Sequence, residues 1–208
     1  MSDRSFIRFG GLAGILLALT SWAAVVVYFT SARAGEDLPG LETFRLLYAL
    51  VAVWALFGIV AVHWVVRANG EAWSFFATLV GAIAAAGTIA AQLYQVAGLR
   101  AAILDQGTKP PTISPTDPFS VMSFALTGLW FLIAGLLLWR ARYPRPIAAL
   151  GLLAAAVLFA GFLGALSAQD GLVTMAALVA GAIGSPVYWL SLGVAMRRRS
   201  ATVDRPAR

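Results

Sequence analysis

The chain has no cysteine, a single histidine (His63) and a single lysine (Lys109), and only 12% of its 208 residues are charged. Without cysteine there is no disulfide exchange, no thiolate metal site and no cysteine nucleophile. The quinone-linked thiol oxidases, which need cysteine pairs, are excluded with them. One histidine cannot supply both axial ligands of a bis-histidine haem. The sequence offers no metal-ligand spacing and no phosphate-cradling glycine loop, so no cofactor is expected. Charge is also scarce by the standard of soluble domains, where about 25% of residues carry one.

In place of charge there is apolar sequence. Hydrophobic residues make up 61% of the chain, and mean hydropathy is +0.85. Six runs of ~20 apolar residues, the length an α-helix needs to cross a bilayer, fill residues 9–29, 46–66, 73–99, 119–139, 147–166 and 172–196. Their interiors lack Asp, Glu, Lys and Arg. A backbone in hydrocarbon must satisfy its own hydrogen bonds, so each run is expected to be a helix. No ten-residue alternation suggests a β-barrel. The expected fold is all-α: one membrane domain over residues 1–208, with six spans and a basic, flexible tail at 197–208.

The net charge of +6 does not point to nucleic acid, because the basic residues cluster at the ends of the runs. With the N-terminus inside, Arg4, Arg8, Arg67, Arg140, Arg142, Arg145, Arg197, Arg198, Arg199, Arg205 and Arg208 are inner, against Arg33, Arg45, Arg100 and Lys109 outside. The positive-inside rule then places both termini in the cytoplasm. Arginine in place of lysine, with abundant Ala and Gly, fits a bacterial inner-membrane protein. Arg4 and Arg8 before an apolar run, with Ala32-Arg33-Ala34 after it, also resemble a signal peptide. The run of ~20 residues exceeds a signal core of about 7–15, which favours a retained span. Two outer connectors are substantial, 30–45 and 100–118. The first contains the turn formers Gly35, Pro39 and Gly40, and the second contains Pro110, Pro111, Pro115 and Pro118.

Polar and small residues fall on helical faces. In the third run Ser74, Thr78, Gly81, Ala85, Thr88, Gln92 and Gln95 are spaced three and four apart, along one face. Such a stripe serves close packing or lines a polar pocket that opens outward near Gln92 and Gln95. The sixth run carries Thr174, Ala177, Gly181, Gly184, Tyr188 and Ser191, with Ser185-Pro186 interrupting it; proline removes a donor and kinks helices. Thr88, Gln92, Gln95, Ser185 and Tyr188 are therefore the candidate ligand-binding residues. In the first run Gly10, Gly14 and Ala18 offer a face for close helix contact, within the chain or with a second copy or a membrane partner. His63 sits near the inner end of the second run beside Trp64. It has no deep acid to form a proton relay, and its depth does not match Ser185 for a serine–histidine pair.

The stretch Arg8-Phe9-Gly10-Gly11-Leu12-Ala13-Gly14 and the turn Tyr143-Pro144-Arg145 leading into Ile147 and Leu150-Gly151 resemble the bacterial domain-of-unknown-function family 4386. That resemblance implies a six-helix membrane bundle and carries over no activity or site residues. The functional expectation is a non-enzymatic membrane protein that binds a small apolar or amphipathic ligand, or a membrane partner, in the bundle. One alternative is the substrate-binding membrane subunit of a transporter. Another is a lipid-modifying enzyme using His63, Arg67 and Glu71.

Overall fold

Every backbone group in a lipid-embedded segment needs an internal partner, and the chain meets this with helices alone. The computed structural model describes residues 3–32, 37–104 and 118–202, and among them every element is helical or a short turn. Helix α1 spans Asp3–Val27 and ends in a π-helical turn, Tyr28–Ala32. Helix α2 spans Leu38–Val66 and closes in a 3-10 turn, Arg67–Asn69. Helices α3 (Glu71–Leu104), α4 (Pro118–Arg140) and α5 (Arg145–Leu166) follow. The sixth rod is broken into α6 (Asp170–Leu178), a π-helical stretch (Val179–Gly184) and α7 (Ser185–Thr202). Five rods are long and apolar enough to cross a membrane, and α4 adds the shorter apolar stretch Phe124–Arg140. The chain is a multi-pass membrane protein of the all-α class.

Two helices start earlier than hydropathy alone suggests. The segment from Leu38 to Arg45, expected as connector, is the first two turns of α2. Asp37 caps it, its Oδ1 accepting from the Gly40 amide at 3.0 Å, and Pro39 sits in the first turn. There a missing N–H and a fixed φ favour the helix. Pro118 likewise opens α4. The other prolines expected to extend that connector, at 110, 111 and 115, lie outside the described residues, as does the second half of the 197–208 tail; of that tail, 197–202 is helix.

The rods form a closed ring. Each packs chiefly against its two neighbours in sequence, and the sixth returns to the first. The start of α1, the end of α7, the α2–α3 turn and the α4–α5 turn share one end, called here the terminal end; the α5–α6 turn and the opposite ends of the other rods define the loop end. Ring closure depends on glycine. At Gly11 a Cβ would meet the Gly193 carbonyl at 2.8 Å, and at Gly14 it would meet the Trp189 carbonyl at 3.0 Å. Gly10 presses in the same way on Ala61 of α2, and Ala18 is fully buried. The face expected to serve contact within the chain or between chains is occupied within it. The outer surface is apolar, with Leu153 61% and Ile183 63% exposed, as lipid contact requires.

The break in the sixth rod has a specific cause. In α-register the Ala182 carbonyl would accept from residue 186, and Pro186 has no N–H to give. The Trp22 indole of α1 donates to that carbonyl at 3.2 Å. The donor that the proline removes is thus replaced from a neighbouring rod. Two turns also hold non-glycine residues in the left-handed region, Arg142 (φ 53°) and Ala168 (φ 52°). Each occupies the C′ position of a Schellman-type end: Tyr143 N–H bonds Leu138 O at 3.0 Å, and Gln169 N–H bonds Gly164 O at 2.8 Å. The α4–α5 turn is clamped from above by α7. Arg199 donates to Arg142 O at 3.0 Å and stacks over the Tyr143 ring at 3.9 Å. Burial pushes the Tyr143 phenol above its usual range, and the Arg199 charge pulls it partly back.

Ala168→Gly removes a left-handed penalty of roughly 1–2 kcal/mol and should raise the unfolding midpoint in detergent. Trp22→Phe leaves a buried carbonyl without its donor, at a cost of about 1–3 kcal/mol, and should lower it. Equal midpoints for wild type and Trp22→Phe would show that this carbonyl has another partner.

Candidate functional site

Six rods in a ring leave a central space, and its two halves are filled differently. Towards the terminal end it is packed with aromatic rings. Trp130 of α4 and Trp189 of α7 stack at 5.1 Å between centroids and 9° between planes. Phe131 and Tyr188 pack edge-on against them, Phe131–Tyr188 at 4.9 Å. Trp189 is only 3% exposed. Gly58 admits its ring: a Cβ on that residue would fall within 2.8 Å of Trp189 Cη2. Gly81 makes the same room for Trp130, whose Cδ1 would lie 2.6 Å from a Cβ there.

Towards the loop end the same space is lined by small residues and is open. A cavity of about 220 Å³ runs from the Trp130–Trp189 pair towards Tyr48 and Gln92, with walls from all six rods. Its apolar wall includes Leu17, Val51, Ala55, Ile59, Ala84, Phe124 and Leu158. Its polar wall is Ser21, Tyr48, Thr88, Gln92, Thr127 and Ser185. The bundle is therefore greasy outside and partly polar within. At the mouth the Tyr48 hydroxyl reaches across the ring to Gly181, where any side chain would collide with it.

The five candidate residues divide. Thr88, Gln92 and Ser185 line the cavity. Thr88 donates its hydroxyl to the Ala84 carbonyl at 3.0 Å. Gln92 Oε1 accepts from Arg45 Nη1 at 3.3 Å. Gln95 is buried but outside the lining, its Oε1 unbonded among the described residues. Tyr188 is fully buried behind the aromatic pair, its ring against Gly151 and its hydroxyl also unbonded. The stripe on α3 thus has three uses. Ser74 pairs with His63 (Nδ1 to Oγ, 2.8 Å), Gly81 and Ala85 admit neighbours and face the cavity, and Thr88 and Gln92 give it polarity. His63 is held at the terminal end by that bond, and Ser185 lies in the cavity.

Arg45 was not among the sequence candidates, and among the described residues it is the charged group bonded to the cavity-lining Gln92. It is half-buried one turn beyond Tyr48, and its Nε is shut from solvent with no hydrogen bond among the described residues. Its guanidinium lies 5.1 Å from the Phe44 ring centroid. Glu42, one turn back, is bonded instead to Arg100 Nε at 2.6 Å, which ties α2 to α3. Among the described residues no group of three or more His, Asp and Glu side chains could hold a metal ion.

Gly58→Ala should force Trp189 off its stacked position and cost about 1–3 kcal/mol by overpacking. The check is near-UV circular dichroism with thermal unfolding. An unchanged tryptophan band and midpoint would show that the pair yields freely.

Neither a family model, nor any curated protein, nor any solved structure matches the chain.

Proposed function

We propose that the protein is a membrane-embedded binding protein that takes a small apolar or amphipathic molecule into the loop-end half of its helical ring. The observation that carries this reading is the cavity itself. Ligand sites are concave, mostly apolar and furnished with a few convergent polar groups. The volume of about 220 Å³ is roughly seven times the ~30 Å³ share of a liquid water. That suits a small molecule or a single short chain and is too little for a two-chain phospholipid. By the arginine distribution, the mouth at Tyr48 and Gln92 faces away from the cytoplasm. A transporter subunit would need a docking face for its coupling partner, and Gly10, Gly14 and Ala18 are occupied inside the ring. Among the described residues neither a carboxylate nor a histidine lines the cavity, so those walls suit holding a ligand better than acid–base chemistry upon one.

Ala84 faces the cavity from α3 and is 4% exposed. Ala84→Phe should fill the space and remain folded. In lipid nanodiscs, 1-octanol should saturably change the tryptophan emission of the wild type and leave Ala84→Phe unaffected, once the signal of protein-free discs is subtracted. Identical responses from the two proteins would defeat the reading.

A further inference from the structure

We infer that Arg45 and Gln92 form a head-group anchor for a singly charged anionic amphiphile, such as a short-chain carboxylic acid, whose tail occupies the cavity. This rests on the binding reading above and assigns its ligand class. Intramembrane charges are costly and are normally paired or functional. Arg45 is withdrawn from solvent at Nε and has no described carboxylate partner. The nearest acid on its own helix, Glu42, is taken by Arg100. What holds the guanidinium is a neutral amide oxygen at 3.3 Å and the face of Phe44, and neither neutralises it. A cation drawn partly out of water with no described counter-charge is held at a cost, so the rim favours a group that brings one negative charge. A guanidinium presents a planar donor fork that matches a carboxylate in two parallel hydrogen bonds.

The tail follows from register. Arg45, Tyr48, Ala52, Ala55 and Ile59 are spaced three, four, three and four along α2, so they share one face. All but Arg45 line the cavity. A head held at Arg45 therefore points its chain past Tyr48 into the apolar space that ends at Trp130 and Trp189. The stacked pair forms the floor and reports on occupancy. One cation matches one negative charge, and the cavity's size matches one short chain.

The test compares octanoate, 1-octanol and octylammonium on the wild type in nanodiscs at pH 7.5, read by tryptophan emission with empty-disc controls. Octanoate should bind at least about tenfold more tightly than octanol, and octylammonium more weakly than either. Arg45→Met should bring octanoate down to the level at which octanol binds the same variant, and Arg45→Lys should fall between. Should Arg45→Met fail to fold, the head-group series on the wild type decides alone. Equal binding of octanoate and octanol, both blocked by Ala84→Phe, would overturn the anchor while sparing the cavity. Failure of octanol itself to bind would overturn the cavity reading first. Inorganic phosphate displacing octanoate at equal concentration would also overturn the proposal, because it would mark a free-anion site with no use for the tail.

Discussion

Helices packed side by side stand about 8–10 Å apart. In a regular ring of six, the centre lies that same distance from every axis, so the middle has room for a seventh helix. No seventh helix is there. The chain must fill that column with side chains or leave it open, and it does each in one half. Near the termini Trp130, Trp189, Phe131 and Tyr188 reach inward and occupy it. Near the loops many inward positions are Ala, Gly, Ser and Thr, and the larger Leu17, Tyr48, Val51 and Phe124 among them leave part of the column open. The cavity is the residue of that choice. Ring closure forces it too: the glycines that let α1 approach α2 and α7 hold the rods in a circle and keep them from collapsing onto the axis.

The broken sixth rod follows from the same geometry. A straight helix on the ring would carry its small face past the cavity at constant distance. The π-helical stretch at Val179–Gly184 and the proline after it alter the register where Gly181 and Ser185 meet the cavity. Such bulges recur where helices carry function. The bulge needs an outside donor for Ala182, and Trp22 of α1 supplies it. The irregularity is thus stabilised by the rod that closes the ring, so closure and cavity wall depend on one bond.

Much of this was legible in the chain, and the parts that were not share a reason. Apolar length identified six helical rods, five of them long and apolar enough to cross a membrane, because lipid makes length and hydropathy nearly sufficient. The three-and-four spacing on α3 places Thr88 and Gln92 on the face that meets the cavity, because periodicity assigns a face. A face is wider than a cavity: Gln95 of α3 lies beyond its wall, and Tyr188 of the sixth rod lies behind the aromatic floor. Trp130 and Trp189 were not legible as a pair, since nothing in a sequence says that rods four and six point rings at each other across a ring. Arg45 was concealed by Pro39 and Gly40, which read as a turn. The signal lay in Asp37, an N-cap with proline two residues on, and in the spacing from Arg45 to Ile59. Once α2 is seen to begin at Leu38, that spacing turns Arg45 from a connector residue into the first position of the cavity-facing stripe.

Electrostatics then gives the ring a direction. The terminal end carries most of the arginines, and those that make contacts there work in water or at the interface: Arg199 clamps the α4–α5 turn and Arg67 lies 3.9 Å over Trp64. Such charges are screened and individually weak. At the loop end Arg100 is 62% exposed and paired with Glu42. Arg45 is drawn instead towards the cavity rim, bonded to Gln92 and partly withdrawn from water, where screening is weaker than at the open surface. On the proposed reading, a neutral amphiphile would gain only the burial of its tail in this cavity. An anionic one would gain that and a charge-assisted bond to Arg45, while a cationic one would meet repulsion at the mouth. The small residues would then set how large a guest the ring admits, and Arg45 which sign of charge it carries.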